Sequence, residues 1–179
     1  VTAFGRVPPG RMVRRDGARA GHLLAVSGTV GDAALGLNIL RNGSVAGMIA
    51  GDPAGRDVLI GRYRVPQPRN LLAAAVRDHA SAAMDVSDGL AGDLAKLCEA
   101  SGVSARVEVV SVPLSPVAIQ ALAQGAAELE TVLAGGDDYE ILCTIPENRW
   151  DSFVEAARAV RVPVTAIGRI VAGEAAPGF

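Results

Sequence analysis

The segment AMDVSDGLAGDL, residues 83–94, sets three aspartates among small and apolar residues. Asp85 and Asp88 are three positions apart. Across a tight turn two such carboxylates lie within several ångströms of each other, and at an effective dielectric near 20 they repel by about 2–4 kcal/mol. A positive group should offset that repulsion. Ser87 or Asp88 could instead cap the helix that follows, a contribution on the order of 1 kcal/mol, but capping leaves Asp85 without a role. A hard divalent cation with oxygen ligands, Mg²⁺ shared with a phosphate-bearing molecule, would engage both acids, since magnesium usually takes only one or two protein carboxylates. Both readings stay open on the residues alone. Asp93, one turn further on, reads as an exposed helix position.

A second acidic segment, LAGGDDYEIL (133–142), places Asp137, Asp138 and Glu140 directly before an apolar strand, after two glycines that let the backbone approach another group closely. An acidic turn is the plain reading, and its likeness in character to the first segment counts against it. Arginines gather in GRMVRRDGARAGH as Arg11, Arg14, Arg15 and Arg19. Guanidinium forks suit phosphate oxygens, although such a run also reads as a solvated loop. SGTVGD (27–32) puts glycines ahead of a helix and could cradle an anion on backbone N–H groups, but it has neither the lysine nor the spacing of a P-loop. His22 and His79 lack ligand or nucleophile partners. Cys98 and Cys143 stand alone in apolar runs and read as reduced core thiols.

Elements must position these residues. HLLAVSG (22–28) reads as a strand, and GDAALGLNIL as a helix with Asp32 in its first turn. The stretch from Asn42 to Gly55, rich in glycine and small residues, reads as a mobile connection that would tolerate a cut. After Pro66 and Pro68 a helix should carry Leu71, Leu72, Ala75 and Val76 on one face, followed by the strand SAAMDVS. From Asp88 to Ser101 the spacing of Leu90, Leu94, Leu97 and Cys98 is helical, with Gly102 closing the helix in a left-handed conformation. VSARVEVVSVP alternates as a strand; a helix from about Ser115 to Glu128, the strand YEILCTIP, a helix burying Trp150, Phe153, Val154 and Ala157, and a last strand VPVTAIGRIV complete the order. Strands alternate with helices, so the expected architecture is α+β or α/β, a mixed or parallel sheet packed with helices.

The 179 residues, half of them hydrophobic, suffice for one core, and a formal charge of -2 with few aromatics offers neither the field nor the stacking surface of a nucleic-acid partner. No apolar run reaches the roughly 20 residues that span a bilayer, and no charged-then-apolar leader opens the chain. The expectation is a cytoplasmic protein with no membrane partner. VTAFGRV begins without Met in an alternating stretch, as the end of something longer.

Taken in order, RVPPGRMVRRDGARAGH, LAVSGTVGDAALGL, VPQPR, AMDVSDGLAGDL and AGGDDYEILCTIP resemble the second half of the thiamine-monophosphate kinase family, a branch of the aminoimidazole ribonucleotide synthetase superfamily that also includes selenophosphate synthetase. The paired D-x-S-D-G-L and G-G-[DE]-D-Y-E signatures carry the likeness. The resemblance implies ATP- and Mg²⁺-dependent phosphorylation of thiamine monophosphate to thiamine diphosphate, with Asp85 and Asp88 as metal ligands and Ser87 and Arg15 as ATP contacts. Asp137 and Phe179 would then meet the substrate. At Asp137 the family usually has Glu, one methylene longer. The resemblance also implies that residues 1–20 close an N-terminal domain and linker, that residues 21–179 form the superfamily's C-terminal domain, and that the other half makes a homodimer and supplies further metal ligands. A fragment without that half would be inactive. A sibling enzyme of the superfamily and a non-catalytic ligand-binding domain are the alternatives.

Overall fold

The computed structural model describes residues 4–179. Five strands, β1 (Leu23–Ser27), β2 (Ala82–Val86), β3 (Ser104–Val107), β4 (Glu140–Ile145) and β5 (Val164–Val171), form one sheet in the order β2-β4-β1-β5-β3. Every pairing between these strands is antiparallel. Parallel pairing among the described residues is confined to two single bridges, Arg14 to Ala82 and Arg106 to Gly178. The expected class of a sheet packed with helices therefore holds, but the mixed or parallel strand directions expected of it do not, because alternation along the sequence does not disclose direction. No two consecutive strands are neighbours, and a helical connection can return at either end of a sheet.

Eight α-helices among the described residues surround it: α1 (Asp32–Leu40), α2 (Ser44–Met48), α3 (Pro53–Arg64), α4 (Ala73–His79), α5 (Leu90–Ser101), α6 (Pro116–Ala123), α7 (Leu129–Ala134) and α8 (Trp150–Ala159). The strands alternate between two apolar layers, as a sheet covered on both faces must. Leu24, Val26, Val86 and Leu142 join Leu90, Leu94 and Leu97 of α5 on one face. On the other, Ala25, Cys143 and Ile145 pack with Ala75 of α4 and with Phe153 and Ala157 of α8. A third cluster, which includes Leu35, Ile39, Val45, Ile49, Leu59, Ala118, Ala121 and Val132, is formed between helices α1, α2, α3, α6 and α7.

That third cluster corrects the reading of residues 42–55 as a loose connection. Val45 is fully buried and Ile49 nearly so, because two apolar residues four apart among the small ones suffice to seat one helical turn against α1. Pro53 at the start of α3, with the Asp52 carboxylate accepting from the Gly55 N–H at 3.0 Å, then begins a helix that the glycines concealed. Helix α4 buries Ala75, and the 3-10 turn before it (Asn70–Leu72) buries Leu72 while leaving Leu71 exposed, so Leu71, Leu72, Ala75 and Val76 do not share one helical face. The helix expected at 115–128 ends at Ala123, and α7 follows separately. Residues 1–3 of the strand-like opening lie outside the described residues, and residues 4–7 form no strand. Cys98 and Cys143 are buried and free, burial pushing their thiols up to about 11 and about 12. Among the described residues no helix is long and apolar enough to cross a membrane.

Candidate functional site

The carboxyl ends of β1 and β2 meet the amino end of antiparallel β4 at one rim of the sheet, so the loops 28–31, 87–89 and 135–139 converge there. The last two are joined backbone to backbone. The N–H of Asp137 donates to the Ser87 carbonyl at 2.9 Å and that of Tyr139 to the Val86 carbonyl at 2.8 Å. Gly136 permits the approach, because a Cβ there would sit 2.4 Å from the Ser87 oxygen. Gly89 answers from the other side, where a Cβ would lie 2.5 Å from the Ala134 carbonyl. The glycines thus serve contact between the two acidic loops.

This contact brings Asp85, Ser87, Asp88 and Asp137 to one rim. Asp85 and Asp88 are exposed and Asp137 is half-buried. Their charges converge on Tyr139, whose phenol is held above its ordinary pKa by Asp137 first, then by burial, with Asp85 and Asp88 adding to it. The structure does not bring Arg15 and Phe179 to this rim. The Arg15 carbonyl accepts from Ser101 Oγ at 3.0 Å, at the far end of α5 from Ser87, a helix length of roughly 18 Å. Phe179, half-exposed, follows Gly178, which bridges to β3 on the opposite edge of the sheet from β2. Four strand spacings, roughly 19 Å, separate those edges.

The capping expectation needs correcting. Neither Ser87 nor Asp88 caps α5 with its side chain; Gly89 holds the N-cap position. Asp93, expected on the exposed face, is fully buried, and its Oδ2 accepts from the N–H groups of both Ser87 and Asp88 at 2.8 Å. From inside the first turn it reaches back to tie down the loop ahead of the helix. Lys96 supplies the positive group that the acidic pair calls for, donating to Asp93 Oδ1 at 2.9 Å and to Asp88. The lysine offsets Asp88; among the described residues no ion pair forms at Asp85.

The acids after the glycines divide into two kinds. Asp137 faces outward, whereas Asp138 is 1% exposed and Glu140 is 0% exposed. Asp138 Oδ2 accepts from the Gly31 N–H at 2.6 Å and Oδ1 from the Ala33 N–H at 3.2 Å. The N–H groups of Gly28 and Val30 donate to the carbonyls of Pro163 and Pro113, both at 3.0 Å. The expected anion cradle at SGTVGD is therefore occupied by the chain's own carboxylate. Burial pushes Asp138 up to about 7, against the pull of those two N–H groups, with Asp32 raising it further and Arg62 lowering it.

Glu140 accepts from Arg62 Nη2 at 2.8 Å, Arg69 Nε at 2.7 Å and Ser27 Oγ at 2.6 Å. Arg62 also donates to the Asp138 carbonyl at 3.3 Å, and its Nε stands 3.9 Å from Asp32. Nε and Nη1 of Arg62 are buried without a hydrogen-bond partner, so the guanidinium faces Asp32 as a charge. Asp32 in turn accepts from Thr29 Oγ1 at 2.6 Å and Ser115 Oγ at 2.5 Å. The sequence reading missed Arg62, Arg69 and this role for Glu140. The available signal was register: Glu140, Leu142 and Thr144 share one face of β4, and an acid on a buried face requires a cation.

A cleft of about 330 Å³ adjoins the rim, lined by Arg69, Leu72, Val76, Asp85, Tyr139 and Ile141 among others. Asp85, Asp88 and Asp137 offer hard carboxylate oxygens, yet among the described residues no three acidic, histidine or cysteine side chains gather closely enough to hold a metal by themselves. That donor set fits a magnesium ion completed by phosphate and water better than an all-protein cage.

With this fold and rim in view, the match of residues 19–176 to "AIR synthase related protein, C-terminal domain" defines the class: the chain belongs to that family. Within it the chain is similar to thiamine-monophosphate kinases. It is 41% identical to the enzyme of Caulobacter vibrioides, over all of this chain and 49% of that protein. The structure of thiamine-monophosphate kinase from Stenotrophomonas maltophilia superposes with a TM-score of 0.84 at 36% identity, covering 96% of this chain and 54% of that one. AaThiL complexed with AMPPCP and TMP gives 0.75 at 34% identity, covering 92% and 49%. The chain spans about half the length of the curated relatives it matches.

Proposed function

We propose that this chain is the C-terminal part of a thiamine-monophosphate kinase, which moves the γ-phosphoryl group of ATP onto the phosphate of thiamine monophosphate. The observation that carries the reading is the joining of the Asp85–Asp88 loop to the Asp137 loop at one rim. A relative at 34% identity that is complexed with AMPPCP and TMP supports it. The acceptor, a phosphate oxygen, is already ionised near neutral pH and needs no general base; positioning and charge neutralisation suffice. A rim of carboxylates without a catalytic serine, cysteine or histidine suits that chemistry.

In this reading Asp85 and Asp88 hold Mg²⁺, which when bound neutralises charge between the two phosphate-bearing ligands. Ser87 lies beside the nucleotide and Asp137 beside the thiamine substrate. Arg15 as an ATP contact and Phe179 as a substrate contact are carried by the resemblance, apart from the rim. Residues 1–20 are the end of an N-terminal domain, and that other half contributes the remaining ligands and the homodimer interface of a cytoplasmic enzyme. The test is thiamine diphosphate formation by the complete protein carrying this chain. Asp85→Asn and Asp88→Asn should each leave Tm within a few degrees and lower turnover by at least about 100-fold. Unchanged turnover at saturating Mg²⁺ overturns the assignment.

A further inference from the structure

Asp137 and Tyr139 carry φ of +73° and +51°, left-handed conformations that L-residues with a side chain adopt at a cost. Buried Asp138 lies between them. Two successive reversals of this kind persist only where the surroundings impose them, and here they turn Asp137 and Tyr139 outward while Asp138 points in. Its two carboxylate oxygens take the N–H groups of Gly31 and Ala33, at the positive end of α1. Its carbonyl takes Arg62, itself held on Glu140. Thus Asp138 is fastened by side chain and backbone at once, and its neighbours have little freedom to relax.

We propose that Asp138 is a positioning residue for the acidic rim: clamped to the start of α1, it holds Asp137 and Tyr139 in the strained conformations that set both against the Asp85–Asp88 loop. The assignment rests on the kinase reading for its consequence in catalysis, and on geometry alone for its consequence in the loop. Both oxygens of the ionised carboxylate accept an N–H, so the clamp is read at pH 8, above the pH at which the group takes its proton. An asparagine offers one acceptor to two donors, so it should hold the loop less firmly, and alanine should not hold it at all.

Amide hydrogen exchange reads the loop directly, through the bonds that Asp137 and Tyr139 donate to Ser87 and Val86. In Asp138→Ala the amides of residues 137 and 139 should exchange at least about tenfold faster, with Leu142 and Thr144 of β4 unchanged. Asp138→Asn, which keeps one acceptor, should fall between and secures a folded variant. In the complete protein KM for thiamine monophosphate should rise about tenfold in Asp138→Ala with kcat within about threefold, and Asp138→Asn should recover part of it. Unchanged exchange at 137 and 139 overturns the proposal, as does acceleration spread evenly over the sheet, which marks general destabilisation. Faster exchange with an unmoved KM overturns the link to the site. A wild-type protein that makes no thiamine diphosphate defeats the kinase reading, and the exchange result then decides the positioning role by itself.

Discussion

Five aspartates bear on this rim and they do different work, which their identical chemistry hid in the sequence. Asp85, Asp88 and Asp137 face outward; Asp93 and Asp138 are buried and serve backbone N–H groups. A buried carboxylate that takes two amide protons behaves as part of the main chain, since losing it strands donors that water cannot reach. Asp93→Ala should therefore cost about 1–3 kcal/mol in denaturant unfolding, although the position looks like a solvated helix face. The residue reading identified where chemistry gathers, from the crowding of acids before and after glycines. It could not sort the acids, because the sorting depends on which loop each one meets, and Asp138 meets residues 105 and 107 positions away.

At the scale of elements, apolar periodicity was a dependable guide wherever it ran long. Helix α5, with leucines at 90, 94 and 97, and strand β4 follow the pattern that their residues announce. It failed where small residues were enough. Helices α2 and α3 arise from a segment whose glycines suggest a loop, because Val45 and Ile49 find a ready-made groove against α1. Ile49→Ala should consequently cost about 2–5 kcal/mol, the loss expected for a core aliphatic, and a chain nicked between residues 42 and 55 should unfold at lower denaturant concentration than the intact one. Helix boundaries at 123 and 129 and strand direction likewise lay beyond local pattern, being settled by which face each segment could bury.

Across the whole molecule, buried charge makes stability depend on pH in an unusual sense. An unfolded aspartate releases its proton near pH 4, whereas folded Asp138 keeps it to about 7. Between those values the native state binds more protons than the unfolded chain. Stability from this group is therefore full below about pH 4, falls as pH rises to about 7 and levels off above. Compared with Asp138→Asn by denaturant titration from pH 5 to pH 8, the wild-type protein should lose on the order of 2 kcal/mol more. A difference of opposite sign would show that the two N–H groups and Arg62 outweigh desolvation.

Strand β4 lies between β2 and β1, which do not touch each other, and its first residue bonds to Ser27, 113 positions earlier. As the polypeptide leaves the ribosome, the early strands thus wait without their shared neighbour until residue 145 has emerged. Closing so long a loop is slow, so assembly of this rim belongs to the final events of folding. Until then Arg69 lacks its carboxylate and Arg62 has only Asp32 to face, so a chain stopped short of Glu140 leaves both cations without the acid that hydrogen-bonds them.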